Sequence, residues 1–112
     1  MNLVLSTDAG KTFGKPVRID SGNTSGRVDV VSLASGAAIV SWVERSPKAQ
    51  ASQVYLRQVE ASGSAGAPVA VSGAGIQPGS VPRIEKSGND IVVAWTSSGD
   101  KPVVHTAVVN LP

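Results

Sequence analysis

Ser6-Thr7-Asp8-Ala9-Gly10-Lys11-Thr12-Phe13 has the residues of a hairpin loop that ties itself together. Asp8 can accept hydrogen bonds from backbone N–H groups across the turn, as aspartates do in Asx turns. Gly10 supplies a positive φ at little steric cost. Ser6 and Thr12 can join the two strand ends through their hydroxyls, and Phe13 is expected to pack beneath the hairpin. Apolar runs flank the loop: Leu3-Val4-Leu5 leads in, and Phe13-Gly14-Lys15-Pro16-Val17-Arg18-Ile19 leads out. The stretch therefore predicts two antiparallel strands joined by a stapled turn. In that reading Ser6, Asp8, Gly10, Thr12 and Phe13 are structural.

Beyond the loop the chain repeats itself. Ser35-Gly36-Ala37-Ala38-Ile39-Val40-Ser41-Trp42 matches Ser87-Gly88-Asn89-Asp90-Ile91-Val92-Val93-Ala94-Trp95, a Ser-Gly turn feeding a β-branched strand that ends in Trp. Upstream, Gly26-Arg27-Val28-Asp29-Val30-Val31 matches Pro82-Arg83-Ile84-Glu85-Lys86, each a strand opening with Arg, then a β-branched residue, then an acid. After each Trp come a polar loop (45–52 or 96–101) and a further strand, at 53–59 or 102–108. The first repeat adds a Gly-rich turn at 62–66 and a last short strand at 68–72. Four antiparallel strands in one such stretch are the size of a propeller blade. Lettered A to D from the centre outward, the chain reads C-D over 1–21, A-B-C-D over 22–73 and A-B-C over 74–112. A small β-sandwich with two similar hairpins fits the same spacing.

Composition agrees with an all-β class. The hydrophobic share is 41% but the aromatic share only 4%, so Val, Ile, Leu and Ala must supply the core, and β-branched residues favour strands. The 12 glycines and 7 prolines are spread along the chain as turn punctuation, which leaves no room for a long helix. At 112 residues one modest core is expected. Without cysteine there is no disulfide, thiolate metal site or Cys nucleophile. A net charge of +2 with dispersed Lys and Arg is no nucleic-acid footprint. No apolar run approaches the roughly 20 residues of a membrane-spanning helix, and 1–5 is too short for the apolar region of a signal peptide. No cofactor or metal is expected.

Residues 6–13 fit Ser-x-Asp-x-Gly-x-Thr-aromatic, and so resemble the Asp box of sialidases and of the wider group of bacterial Asp-box (BNR) propeller proteins. There the box joins the third and fourth strands of a blade. The segment 26–45 also resembles the closing blades of sialidase-like proteins of unassigned activity. The resemblance covers essentially the whole chain, although the equivalent turn Ala61-Ser62-Gly63-Ser64-Ala65-Gly66 lacks the Asp. It implies antiparallel four-stranded blades, about two per chain. Six blades, the number sialidases resemble one another in, would need three chains, a homo-oligomeric ring with trimer favoured. Leu3 to Ser6 and Val103 to Val108 would then compete for one third-strand place. An excised piece of a longer propeller is the other escape. Relatives of this kind are commonly exported.

The resemblance also defines what a hydrolase would need: three arginines, a Tyr–Glu nucleophile pair and an Asp acid. Tyr55 is the only tyrosine and alternates with Val54 and Leu56 in a third strand, as a packing residue does. Asp20, Asp90 and Asp100 fall at strand ends or loops, and the full set cannot be assembled. The expectation is a non-catalytic module of unassigned activity, the alternative a sialidase-type glycoside hydrolase active only in a ring or a longer parent. Arg27 and Arg83 open inner strands at matching positions. In a closed propeller they would converge at the channel mouth and attract an anionic or glycan ligand, since a guanidinium matches a carboxylate. Each can instead pair with an acid such as Asp29 or Glu85. His105, the only histidine, reads as a strand residue, and Trp42 and Trp95 as packing between blades rather than sugar platforms.

Overall fold

The computed structural model describes residues 1–46, 51–71, 76, 80–97 and 100–110. Among these the chain is all-β, without a helix. Its strands are β1 (Asn2–Leu3), β2 (Val17–Arg18), β3 (Thr24–Ser32), β4 (Ala38–Ser46), β5 (Ala51–Val59), β6 (Val69–Ala70), β7 (Arg83–Ser87), β8 (Asp90–Thr96) and β9 (Val104–Asn110). They form three antiparallel sheets in chain order: β1-β2, then β3-β4-β5-β6, then β7-β8-β9. The expected 47–50 and 98–99 portions of the two polar loops, and the end of the strand at 68–72, lie outside the described residues.

Alternation along β4 explains how the sheets stack. Val40 and Trp42 join Ile19 and Val59 in a core shared with Leu3 and Val17 of the first sheet and with Leu5 just beyond β1. Ile39 and Val43, on the opposite face, join Val54 and Leu56 in a second core with Ile84, Ile91, Val93 and Trp95 of the third sheet. Strand β4 of the middle sheet is thus buried on both faces from Ala38 to Glu44. Ile39, Trp42, Val54 and Leu56 are all fully buried, each such side chain contributing about 1.5–3 kcal/mol of transfer free energy.

Turns divide by chemistry. Gly36 (φ 89°) and Gly88 (φ 60°) let β3-β4 and β7-β8 reverse tightly. The 60–66 turn has no aspartate and closes by backbone bonds instead: Glu60 N–H to Ser64 O and Gly63 N–H to Glu60 O, both 2.8 Å.

Three expectations need correction. Trp42 does not end its strand: β4 continues to Ser46, zipped to β5 through Ser46↔Ala51. Arg27 does not open β3, which starts at Thr24; Arg27 sits in a bulge where the register slips between Gly26 and Asp29. Phe13 is 60% exposed rather than packed beneath its hairpin. The first sheet is only two strands wide, and Leu3, Leu5 and Val17 are the residues that cover the middle sheet there, so Phe13 belongs to neither core.

Candidate functional site

The 6–13 loop is held by side chains. Asp8 Oδ1 accepts from the Thr12 N–H and the Ser6 hydroxyl, both at 2.8 Å, and Oδ2 accepts from the Thr12 hydroxyl at 2.5 Å. Ser6 Oγ in turn accepts from the Gly10 N–H at 2.8 Å. Ala9 (φ 61°) and Gly10 (φ 85°) make the reversal. With Thr12 donating twice and Ser6 once, the Asp8 carboxyl is lowered from 3.8 to about 2. This arrangement is a staple: every oxygen of Asp8 is engaged within the loop.

A second polar group, unanticipated in the sequence, joins the first sheet to the middle one. Glu44 is buried, and its Oε1 accepts from the Ser21 N–H at 2.9 Å and from Trp42 Nε1 at 3.1 Å. Asp20, also buried, accepts from Arg18 Nε at 2.7 Å, from the Met1 ammonium at 2.6 Å and from the Gly22 N–H at 3.2 Å. The Arg18 guanidinium, with the ammonium beside it, holds that carboxyl well below the usual range. Arg57 Nη1 donates to the carbonyls of Arg18 and Ile19 at 3.1 and 2.9 Å. One signal was available: Glu44 continues the Val40, Trp42 alternation of an apolar face, where a charge must find donors.

The inner strands carry the arginines singled out in the sequence. Arg83 Nε lies 3.2 Å from Asp29 Oδ2, which also accepts the Ile84 N–H at 3.0 Å. One carboxylate therefore ties β3 to β7. Partial burial opposes its charge, but the Ile84 and Val30 N–H groups and Arg83 outweigh that and keep the carboxyl below its ordinary value. Arg27 is exposed at φ 55° and makes no hydrogen bond or ion pair among the described residues. Bulges of this kind re-aim a side chain.

Strand register corrects the expectation that Arg27 and Arg83 match. Asp29 lies opposite Ser41, the residue before Trp42, and Arg83 opposite Ala94, the residue before Trp95. Arg83 is therefore level with Asp29, and Arg27 is two residues further along. Glu85 is exposed and pairs across the strands with Val92.

Of the remaining candidates, Tyr55 and His105 each stack on a tryptophan. Tyr55 stacks on Trp42 with centroids 5.7 Å apart, and its hydroxyl bonds Gln53 Oε1 at 3.3 Å rather than a carboxylate. His105 stacks on Trp95 at 5.8 Å. Asp90 begins β8 and Asp100 lies in a bend. Among the described residues no three His, Cys, Asp or Glu side chains gather as metal ligands, and no helix is long and apolar enough to cross a membrane.

Two depressions flank these groups. One, of about 640 Å³, runs between Phe13, Lys15 and the 61–63 turn. The other, about 250 Å³ and mainly apolar, opens beside β3 between Leu3, Ile19, Val28, Asp29, Val30 and Val40. Set against protein-family models, curated proteins and solved structures, the chain matches none.

Proposed function

We propose that the chain is a non-catalytic β-propeller module of the sialidase-like, Asp-box kind, which assembles with copies of itself into a closed ring. The observation that carries this reading is the burial of β4 on both faces, between the first sheet and the third. A two-layer sandwich covers each sheet on one face only, whereas blades stack face to face in series. The direction of packing repeats as well, because Trp42 faces the sheet before it and Trp95 does the same. The Tyr55 hydroxyl on Gln53 supports a non-catalytic role over a sialidase-type glycoside hydrolase. A ring of six blades takes three copies, with β1 of one copy and β9 of the next meeting at the third-strand place. Light scattering coupled to gel filtration tests this: a sharp trimer is expected, and a well-folded monomer at all concentrations would overturn the ring.

The exposed guanidinium of Arg27, unpaired among the described residues, favours a second reading, an anionic or carbohydrate ligand at the inner strands, where Arg83 is also 78% exposed. Titration with sialyllactose and, separately, with inorganic sulfate should shift amide resonances around Arg27, and Arg27→Ala should abolish the shifts. Equal shifts in the variant would sink the reading.

A further inference from the structure

Phe13 is the one aromatic side chain left open to solvent. Trp42 and Trp95 are buried and Tyr55 is half-buried against Trp42, whereas Phe13 is 60% exposed. A single exposed ring is ordinary by itself. This one lines the depression of about 640 Å³ that runs between Phe13 and Lys15 on the first hairpin and the 61–63 turn of the middle sheet. That volume lies within the roughly 300–1,000 Å³ of small-molecule clefts.

Both walls are held by bonds of their own. Asp8 staples the 6–13 loop through Ser6 and Thr12, and the Gly14 N–H donates to the Leu5 carbonyl at 2.8 Å, closing the hairpin immediately after Phe13. The other wall is fixed by the backbone bonds that close the 60–66 turn. Leu5 and Val17, packed on the core, complete the lining. A cleft with walls so fixed spends little free energy on ordering when a ligand enters.

The lining chemistry narrows what fits. Lys15 is exposed and makes no ion pair among the described residues, and no acid lines the depression. Asp8, the nearest acid along the chain, has both oxygens engaged within its loop. The Thr7 and Ser62 hydroxyls line the same depression and make no hydrogen bond among the described residues. A ring face with a negative quadrupole attracts the C–H face of a flat partner, an ammonium takes a carboxylate as a point charge, and free hydroxyls take hydroxyl partners. One small ligand that answers all three is a sugar ring bearing an acid group. We infer that this depression binds a carboxylated pyranoside of the uronic-acid type, with a C–H face on Phe13 and its carboxylate at Lys15. The site lies within one chain and needs neither the ring nor Arg27.

Methyl β-glucuronide titrated into the isotope-labelled chain tests this by amide resonances. Saturable shifts are expected at Phe13, Lys15 and Ser62. Methyl β-glucoside and acetate, each carrying half of the ligand's chemistry, should bind more weakly. Phe13→Ser and Lys15→Gln should each weaken the glucuronide at least about threefold, Phe13→Tyr should retain it, and added salt should weaken it. Both positions are exposed, so folding should be preserved, which circular dichroism verifies. Arg27→Ala should leave the titration unchanged. Absence of saturable shifts, or shifts that survive both Phe13→Ser and Lys15→Gln, would overturn the site. Shifts centred on Arg27 and lost in Arg27→Ala would move the ligand to the inner strands and overturn it equally. Tighter binding of benzoate than of the glucuronide would overturn the ligand class.

Discussion

Trp42 Nε1 donates to Glu44 Oε1 across 3.1 Å, with both side chains buried. The same oxygen takes the Ser21 N–H from the segment that follows β2, so one carboxylate joins two sheets and orients the indole. Trp95, level with Trp42, has its Nε1 buried with no acceptor among the described residues. Glu44→Leu should destabilise the fold by about 1–3 kcal/mol for each donor left orphaned, while Glu44→Gln, which keeps a carbonyl acceptor, should cost distinctly less. Urea midpoints measure both. A leucine variant as stable as wild type would show that this acid is dispensable.

Stability should fall in acid through the 6–13 loop. Asp8 is held at about 2 in the folded chain against an ordinary 3.8. A lowered folded value means that the stabilisation is complete above the unfolded value and is lost as pH falls through the folded one. Asp29 shifts in the same direction and adds to the slope. Melting temperatures should therefore drop between about pH 4 and pH 2, and Asp8→Asn should flatten part of that drop. Parallel curves for the two proteins would remove Asp8 from the account.

Gly36 and Gly88 serve equivalent turns, yet they should respond differently to alanine. At Gly88 a Cβ meets nothing within 4 Å, so only the left-handed backbone resists, roughly 1 kcal/mol. At Gly36, with φ 89°, a Cβ would come 3.3 Å from the Ala61 Cβ, so strain and crowding add. Denaturant titration should rank Gly36→Ala clearly below Gly88→Ala. The reverse order would mean that the 61–63 turn yields without cost.

Phe13→Ser should be nearly neutral, within about 0.5 kcal/mol. The ring is 60% exposed and belongs to neither core. A loss of several kcal/mol in thermal unfolding would restore the buried role that its place in the motif implies.

Much of this architecture is local and was legible in the residues. Alternating β-branched runs, the Ser-Gly turns at 35–36 and 87–88, and the loop from Ser6 to Phe13 dictate antiparallel strands. Their information lies in φ preference, side-chain period and hydrogen bonds that span a few residues. The Asp8 contacts with Ser6 and Thr12 could be anticipated for the same reason.

Tertiary structure alone decided the rest. Which acid meets Arg83 depended on two residues 54 apart in the chain and on the register that sets Asp29, not Arg27, opposite Ser41. Whether Phe13 is buried depended on how many strands stand beside it. Several donors that hold Asp20 and Glu44 inside are the Met1 ammonium and the Gly22 and Ser21 N–H groups, which carry no residue signature. By itself the sequence determined which segments become strands and where they turn. Their stacking order and their ion pairs were decided only when the sheets packed, because burial belongs to the assembled layers rather than to any one of them.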